Sequence, residues 1–440
     1  MPTSFQPAMI YTASYLITQN AARDILRDGA LLVAGSEIAE VGLVADLRAR
    51  HPAEPVRDLG EAAILPGLVN GHTHIPMSIL RGYADDLALM EWLQEHIFPA
   101  EASLTPERVR DAARFSCLEL IRHGCTAFFD MYMLEDAVGD AVEEVGCRAL
   151  LGESLTRFVP AINGATLDDI FARVRDSAAR WRGHPTIRAA INPHAPYTTD
   201  AALLRRCRAF ADELAIPLGI HLAETRAETE GCLREHGMRP VAWCDSLGLL
   251  AADTSLFHMV DVDDADLDAV TARGCAVVHN PASNMKLASG VAPLTEMERR
   301  GIPVSIGTDG PASNNAQNMV RETYLASLLQ KCRDGDPRRT PAQRALDMAT
   351  LGGAAALHES RIGALAPGMQ ADFIALDLTA PNLQPVHNVV SNIVYAATGA
   401  ENRLTVVAGR ELYRNGEFLT ADYADARSRL LRGVSGVLHH

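Results

Sequence analysis

Short apolar runs of six to eight residues alternate with longer amphipathic stretches from about residue 65 to residue 363. The runs read GLVNGHTH (67–74), TAFFDM (126–131), ALLGES (149–154), IRAAINPH (187–194), PLGIHLAE (217–224), SLFHMV (255–260), CAVVHN (275–280) and PVSIGTDG (303–310). Each is short enough for a buried strand, and helix starts such as Thr105-Pro106-Glu107 and Thr340-Pro341 lie between them. Eight strands, each followed by a helix, predict an α/β fold, a (β/α)8 TIM-like barrel.

The two ends of the chain have a different rhythm. Residues 9–18 and 30–43 are rich in strand-forming side chains and punctuated by glycine, and residues 371–378 and 404–418 alternate apolar with polar. Asn415-Gly416 is a hairpin signal. These strands predict a small β-sandwich domain built from both ends, residues 1–65 and 364–440, around a catalytic barrel of residues 66–363. No repeat of 20 to 50 residues interrupts that pattern, and the terminal Leu438-His439-His440 carries no motif.

Composition narrows the function classes. With 440 residues, 48% of them hydrophobic, the chain has enough apolar side chains for a packed core. Forty Lys+Arg against fifty-five Asp+Glu leave a net charge of −15. That field repels nucleic acid and anionic membranes and suits a neutral or cationic small molecule. The eight cysteines form no C-x-x-C pair and read as reduced core thiols. No basic residue precedes Arg23 and no long apolar stretch is present, so neither a signal peptide nor a membrane span is expected, and the cytoplasm is the default compartment. Barrels often pair, which leaves a homo-oligomer open without identifying its interface.

A barrel gathers its chemistry at the C-terminal ends of its strands. His72, His74, His194, His221, Glu224, His258 and Asp309 fall there, with Asp130 and His279 as residues of the same kind. His72 and His74 are two apart, so on an extended strand both project from one face. Together with His221 and Asp309 they form a His3Asp set suited to zinc or another first-row divalent ion. Asp309, at the end of a buried strand, would be expensive to desolvate without a cation or hydrogen bonds. Glu224 follows His221 by three residues and suits a proton shuttle better than a ligand, and His258 ends the neighbouring strand.

At these residues the sequence becomes familiar. PGLVNGHTH, NPHAPYT, HLAET, HNPASNMKLASG and GTDGPASNN, in that order, resemble the amidohydrolase superfamily over nearly the whole chain. The segment 72–101 resembles the lid and adenine-binding segment of the methylthioadenosine/S-adenosylhomocysteine deaminases. The resemblance implies one zinc ion per subunit, held by His72, His74, His221 and Asp309, with Glu224, His258 and Asp309 as catalytic residues. It also implies substrate contacts from Glu101 to the ribose hydroxyls and from His194 to the nucleoside. Trp92 could cover the purine, although its helical spacing also suits plain packing.

Binuclear members of the superfamily bridge their metals with a lysine from a barrel strand. The only lysines here are Lys286, expected in a loop, and Lys331, expected in a helix, which disfavours that class. The implied reaction converts 5′-methylthioadenosine, S-adenosylhomocysteine or adenosine to the inosine analogue plus ammonia. The alternatives are deaminases or chlorohydrolases of guanine, cytosine or triazines on the same barrel, or a scaffold that has lost its chemistry. The cytidine-deaminase type of site is excluded, because it needs a P-C-x-x-C pair. In relatives that accept S-adenosylhomocysteine, arginines after the third strand grip its carboxylate. Here that region offers Arg157 beside Phe158, Val159 and Pro160, while Arg148 is expected to point away from the mouth, so a neutral 5′ tail is expected to be preferred.

Overall fold

Barrel strands are covered on both faces and therefore read as near-continuous apolar runs. The computed structural model, which describes residues 8–157 and 165–437, places all eight in one parallel sheet in chain order. They are β6 (Leu68–Thr73), β7 (Cys125–Tyr132), β8 (Arg148–Leu155), β9 (Ile187–Pro193), β10 (Leu218–Leu222), β11 (Thr254–His258), β12 (Ala276–His279) and β13 (Val304–Ile306). Inside, Phe129, Met131, Leu150, Phe257 and Val278 pack together, and Ala354, Leu357 and Ile362 join that cluster.

The first and last barrel strands meet through side-chain bonds and a single parallel bridge rather than through a full ladder. The Asn70 amide donates to Thr308 Oγ1 at 2.7 Å and accepts from the Thr308 backbone amide at 2.9 Å, while Asp309 donates its amide to the His72 carbonyl at 3.0 Å. Gly307 permits this approach, since a Cβ there would lie 2.7 Å from the His72 carbonyl oxygen. The seam brings His72 and Asp309, far apart in sequence, side by side.

The chain ends build a nine-stranded mixed sheet from β1 (Met9–Ile17), β2 (Ile25–Ala34), β3 (Glu37–Leu43), β4 (Val56–Asp58), β5 (Ala62–Pro66), β14 (Phe373–Asp377), β15 (Asn402–Val407), β16 (Arg410–Arg414) and β17 (Glu417–Phe418). The strands expected to form the small β domain are hydrogen-bonded into this one sheet, with β5 parallel to β1 and antiparallel to β14. Its core includes Tyr11, Leu31, Val33, Ile64, Phe373 and Val406. Asn415 and Gly416 both have positive φ, 48° and 93°, as a tight hairpin between β16 and β17 requires. Two helices of the C-terminal part lie against the barrel instead. Tyr395 of Val389–Tyr395 bonds Ser327 at 3.0 Å, and Asp425 of Tyr423–Val434 pairs with Arg114 at 2.8 Å.

The helix starts behave as their chemistry requires. Thr105 caps the helix Pro106–Arg122 by accepting from the Arg108 amide, and Pro341 stands just before the helix Ala342–Asp347. Lys286 is not in a loop. It ends the short helix Pro281–Lys286, because Pro281 starts a turn immediately after β12, and its ammonium reaches Asp85 at 2.6 Å.

Candidate metal centre and active site

His72 lies on β6 and His74 just beyond it, where the chain turns into a 3₁₀ helix. His221 comes from β10, and Asp309 follows β13 in the left-handed region at φ 61°. These four are brought together, one ligand atom of each lying within 4.8 Å of the others. His72 Nε2 and His221 Nε2 are 3.1 Å apart, and Asp309 Oδ1 lies 3.4 Å from His72 Nε2 and 3.1 Å from His74 Nε2. Ligands about 2.0–2.1 Å from a tetrahedral zinc stand roughly 3.3 Å from each other. These three separations match the ligand spacing of that ion.

The remaining atoms of the ligands support the same reading. His221 Nδ1 donates to the His194 carbonyl at 2.8 Å, and His74 Nδ1 bonds the Met131 carbonyl, so both rings turn Nε2 inward. Ser283 and Ser313 hydroxyls donate to Asp309 Oδ2 at 2.5 and 3.0 Å. Burial pushes His72 down to about 3 and His221 well below the usual imidazole range, which keeps their nitrogen lone pairs free. Burial works against ionisation of Asp309, yet the His72 and His74 rings override it and hold the carboxyl well below the usual range.

Glu224 and His258 stand above this centre on adjacent turns. The residue before Glu224, Ala223, has φ 52°, and His258 and Met259 have φ 74° and 49°. Left-handed residues other than glycine are uncommon, and three of them here turn the chain sharply at the ends of β10 and β11. Glu224 Oε2 lies 4.0 Å from His258 Nε2. Burial raises the Glu224 carboxyl, with the His258 ring opposing. His258 Nδ1 lies 2.8 Å from Asn284 Oδ1 and 3.3 Å from Asn280 Nδ2, which fixes the ring orientation and turns Nε2 toward Glu224.

These groups open into one cavity walled by Met77, Leu89, Trp92, Leu93, Phe98 and Leu287. Glu101 lines it and is buried, and burial raises its carboxyl to about 7 beside the Tyr132 phenol. His194 lines it too, its Nδ1 3.0 Å from the Thr198 hydroxyl. Since that hydroxyl donates to the Ala195 carbonyl, it accepts from His194 Nδ1–H and makes Nε2 an acceptor. Trp92 is buried on the wall. No arginine or lysine is among the described lining residues. Arg157 is exposed, one residue beyond the lining Thr156, and its backbone amide donates to the Thr198 carbonyl. Phe158, Val159 and Pro160 lie outside the described residues. Arg148 does point away from the mouth, pairing with Asp372 at 2.7 Å.

The two remaining strand-end residues support neighbours. Asp130 Oδ1 accepts from the Ile75 amide at 2.7 Å and so anchors the turn after His74, and His279 is fully buried beside Asn284. The sequence reading passed over Ser283, Asn284 and Ser313, although they stand in the quoted motifs HNPASN and GPASNN. Their partners are set by how the loops meet, and spacing alone carries no sign of it. Tyr132 lines the cavity without any motif to mark it, and Tyr197, which also lines it, stands in the quoted NPHAPYT but was passed over there.

Comparison with known proteins agrees with this geometry. Residues 63–412 match the amidohydrolase family. The chain is 50% identical to a 5-methylthioadenosine/S-adenosylhomocysteine deaminase of Nitratidesulfovibrio vulgaris, over 94% of both chains. It is 40% identical to a 5′-deoxyadenosine deaminase of Methanopyrus kandleri, covering 88% of this chain and 91% of that one. A crystal structure of an adenosine deaminase from Xanthomonas campestris with bound zinc superposes with a TM-score of 0.94, at 37% identity and over 98% of each chain.

Proposed function

The chain belongs to the amidohydrolase family, and from that membership we propose that it removes the 6-amino group of adenosine derivatives with neutral 5′ substituents, using zinc. It is a hydrolytic deaminase. Its preferred nucleosides are 5′-methylthioadenosine and adenosine, with S-adenosylhomocysteine a poorer substrate, and the product is the inosine analogue plus ammonia.

The observation that carries this reading is the composition of the cavity. A His3Asp cluster and two catalytic candidates form its floor, a buried carboxylate stands on an apolar wall, and no described lining residue is a permanent cation. His72, His74, His221 and Asp309 would hold a zinc ion, which would supply Lewis acidity to make water a better nucleophile near neutral pH. Glu224, its affinity for a proton raised by burial, takes a proton from the attacking water and gives it to the purine nitrogen beside C6, then takes the proton of the new C6 hydroxyl and delivers it to the departing ammonia. His258 Nε2, aimed by Asn284, and Asp309 orient the attacking water. Glu101 accepts hydrogen bonds from the ribose hydroxyls, His194 Nε2 accepts a further donor of the nucleoside, and Trp92 covers the purine. The amino-acid tail of S-adenosylhomocysteine carries a carboxylate that this wall does not pair, and leaving it without partners costs roughly 1–3 kcal/mol. Arg157, one residue beyond the lining Thr156, is the cation assigned to offset part of that loss.

Steady-state ammonia release from the three nucleosides tests the proposal. We expect kcat/KM for methylthioadenosine and adenosine to exceed that for S-adenosylhomocysteine by about tenfold or more. Arg157→Ala should cost S-adenosylhomocysteine more than methylthioadenosine. A preference for S-adenosylhomocysteine, or faster release from guanine, cytosine or triazines, would overturn the substrate assignment.

A further inference from the structure

Glu224 leaves β10 on a turn that no glycine eases, and something must hold that turn against its strain. The backbone amides of Ala223 and Glu224 point the same way, and both donate to one side chain. Glu228 Oε1 accepts from Ala223 at 2.9 Å and Oε2 from Glu224 at 2.8 Å. Glu228 lies in the first turn of the helix Arg226–His236, which Thr225 caps, so its backbone is fixed independently of the turn it grips. It is buried, and no hydrogen bond or ion pair joins it to the four metal-centre residues among the described contacts.

The other side of the turn is locked as well. The Ala223 carbonyl accepts from the Val260 and Asp261 amides, each at 2.9 Å, and the Leu222 carbonyl accepts from Met259 at 3.1 Å. The left-handed turn before Glu224 is thus clasped to the left-handed turn that carries His258. From these bonds we propose that Glu228 is a positioning residue for deamination, its two carboxylate oxygens holding the 223–224 turn so that Glu224 faces the reacting ring at the same spacing from His258. The proposal rests on the assignment of Glu224 as the proton shuttle.

Chemistry of the two oxygens makes the role specific. A carboxylate accepts at both positions, whereas an amide of the same shape presents NH2 to one of the two backbone donors, repelling it and releasing one arm of the turn. A displacement of about 1 Å in a catalytic group can lower a rate about a hundredfold while leaving substrate binding in place. Burial raises the Glu228 carboxyl, and the two backbone donors oppose it by favouring the ionised form that accepts at both oxygens.

The test compares zinc-loaded Glu228→Gln, Glu228→Asp and Glu224→Gln proteins with the wild type, measuring kcat, KM, metal content and thermal midpoint. Asp422→Ala, which removes the cap of the distant helix Tyr423–Val434, serves as a control for stability alone. We expect Glu228→Gln to lose about ten- to a hundredfold in kcat with KM and zinc unchanged. Glu228→Asp, which keeps both acceptors but withdraws them by one methylene, should fall between it and the wild type. Asp422→Ala should lower the thermal midpoint without lowering kcat. A folded Glu228→Gln or Glu228→Asp protein with wild-type kcat overturns the proposal. So does loss of zinc in either, which would attach Glu228 to His221 instead, or a fall in kcat no larger than that of Asp422→Ala at equal destabilisation. If Glu224→Gln itself turns over normally, the assignment of the shuttle has failed, and that outcome is read independently of Glu228.

Discussion

Two side chains three residues apart, His221 and Glu224, are assigned to different tasks, and single substitutions separate them. Glu224→Gln preserves shape but cannot carry a proton at neutral pH, so turnover should fall about 10²- to 10⁴-fold while zinc stays. His221→Ala should lose the metal as well as the activity. Rates and elemental analysis on the same samples check both, and one zinc per chain is the expected wild-type content. Glu101 carries a pH signature. Burial raises it to about 7, so it becomes the stronger acceptor for ribose hydroxyls only as pH climbs through neutrality, and KM for ribosides should fall across that range. The sign for stability is the reverse. A carboxyl whose folded pKa lies above its unfolded value stabilises the fold fully below the unfolded value, and that contribution is lost as pH rises through about 7. Glu101→Gln should raise KM about 10- to 100-fold, the loss of one charge-assisted hydrogen bond, and flatten its pH dependence. An unchanged KM for adenosine in that variant would remove Glu101 from the ribose.

At the scale of elements, helix ends show where a local rule is broken. The helices Glu135–Val145, Arg226–His236, Asp264–Arg273 and Met319–Asp334 all stop at a left-handed glycine: Gly146, Gly237, Gly274 and Gly335. Ala201–Leu214 stops instead at Ala215, with φ 52° and ψ 48°, and its side chain is exposed. A Cβ in that conformation costs roughly 1–2 kcal/mol, part of which glycine would give back as extra freedom of the unfolded chain. Ala215→Gly should therefore stabilise the protein by about 0.5–1 kcal/mol, read as a higher denaturant midpoint with unchanged activity. A lower midpoint would mean that the alanine conformation is less strained than its dihedrals imply. Nothing in the local sequence near Ala215 marks this strain, because a glycine-free helix end has no signature until its dihedrals are known.

For the molecule as a whole, the joint between sheet and barrel runs through Arg148. At the start of β8 its guanidinium pairs with Asp372 and also reaches Gln370 and the Pro185 carbonyl, all just below the barrel and away from the cavity. Asp372 in turn accepts from the Ala408 amide, and its carbonyl accepts from Gly67, where the chain passes from the sheet into β6. Arg148→Ala leaves a buried carboxylate without its counter-charge and should cost about 3–5 kcal/mol. The ratio of kcat/KM for methylthioadenosine to that for S-adenosylhomocysteine should stay at its wild-type value. Thermal unfolding and the two substrates together check this, and a changed ratio would place Arg148 in the specificity of the mouth. No helix among the described residues is long and apolar enough to cross a membrane.

Periodicity along the chain was sufficient for the eight barrel strands, because a strand buried on both faces must be apolar whichever partner it has, and for the Asn415-Gly416 turn, because positive φ at two consecutive positions favours those residues. Strand-end position also picked out His72, His74, His221, Glu224, His258 and Asp309, since a barrel has one mouth above its strand ends, although the same rule offered Asp130 and His279, which turn inward to support neighbours. The tertiary structure alone decided what those residues lean on. Asn284 against His258, Ser283 and Ser313 against Asp309, and Glu228 under Glu224 are contacts made by the meeting of loops. A side-chain oxygen that accepts from a backbone amide leaves no trace in composition or spacing that distinguishes it from an exposed one.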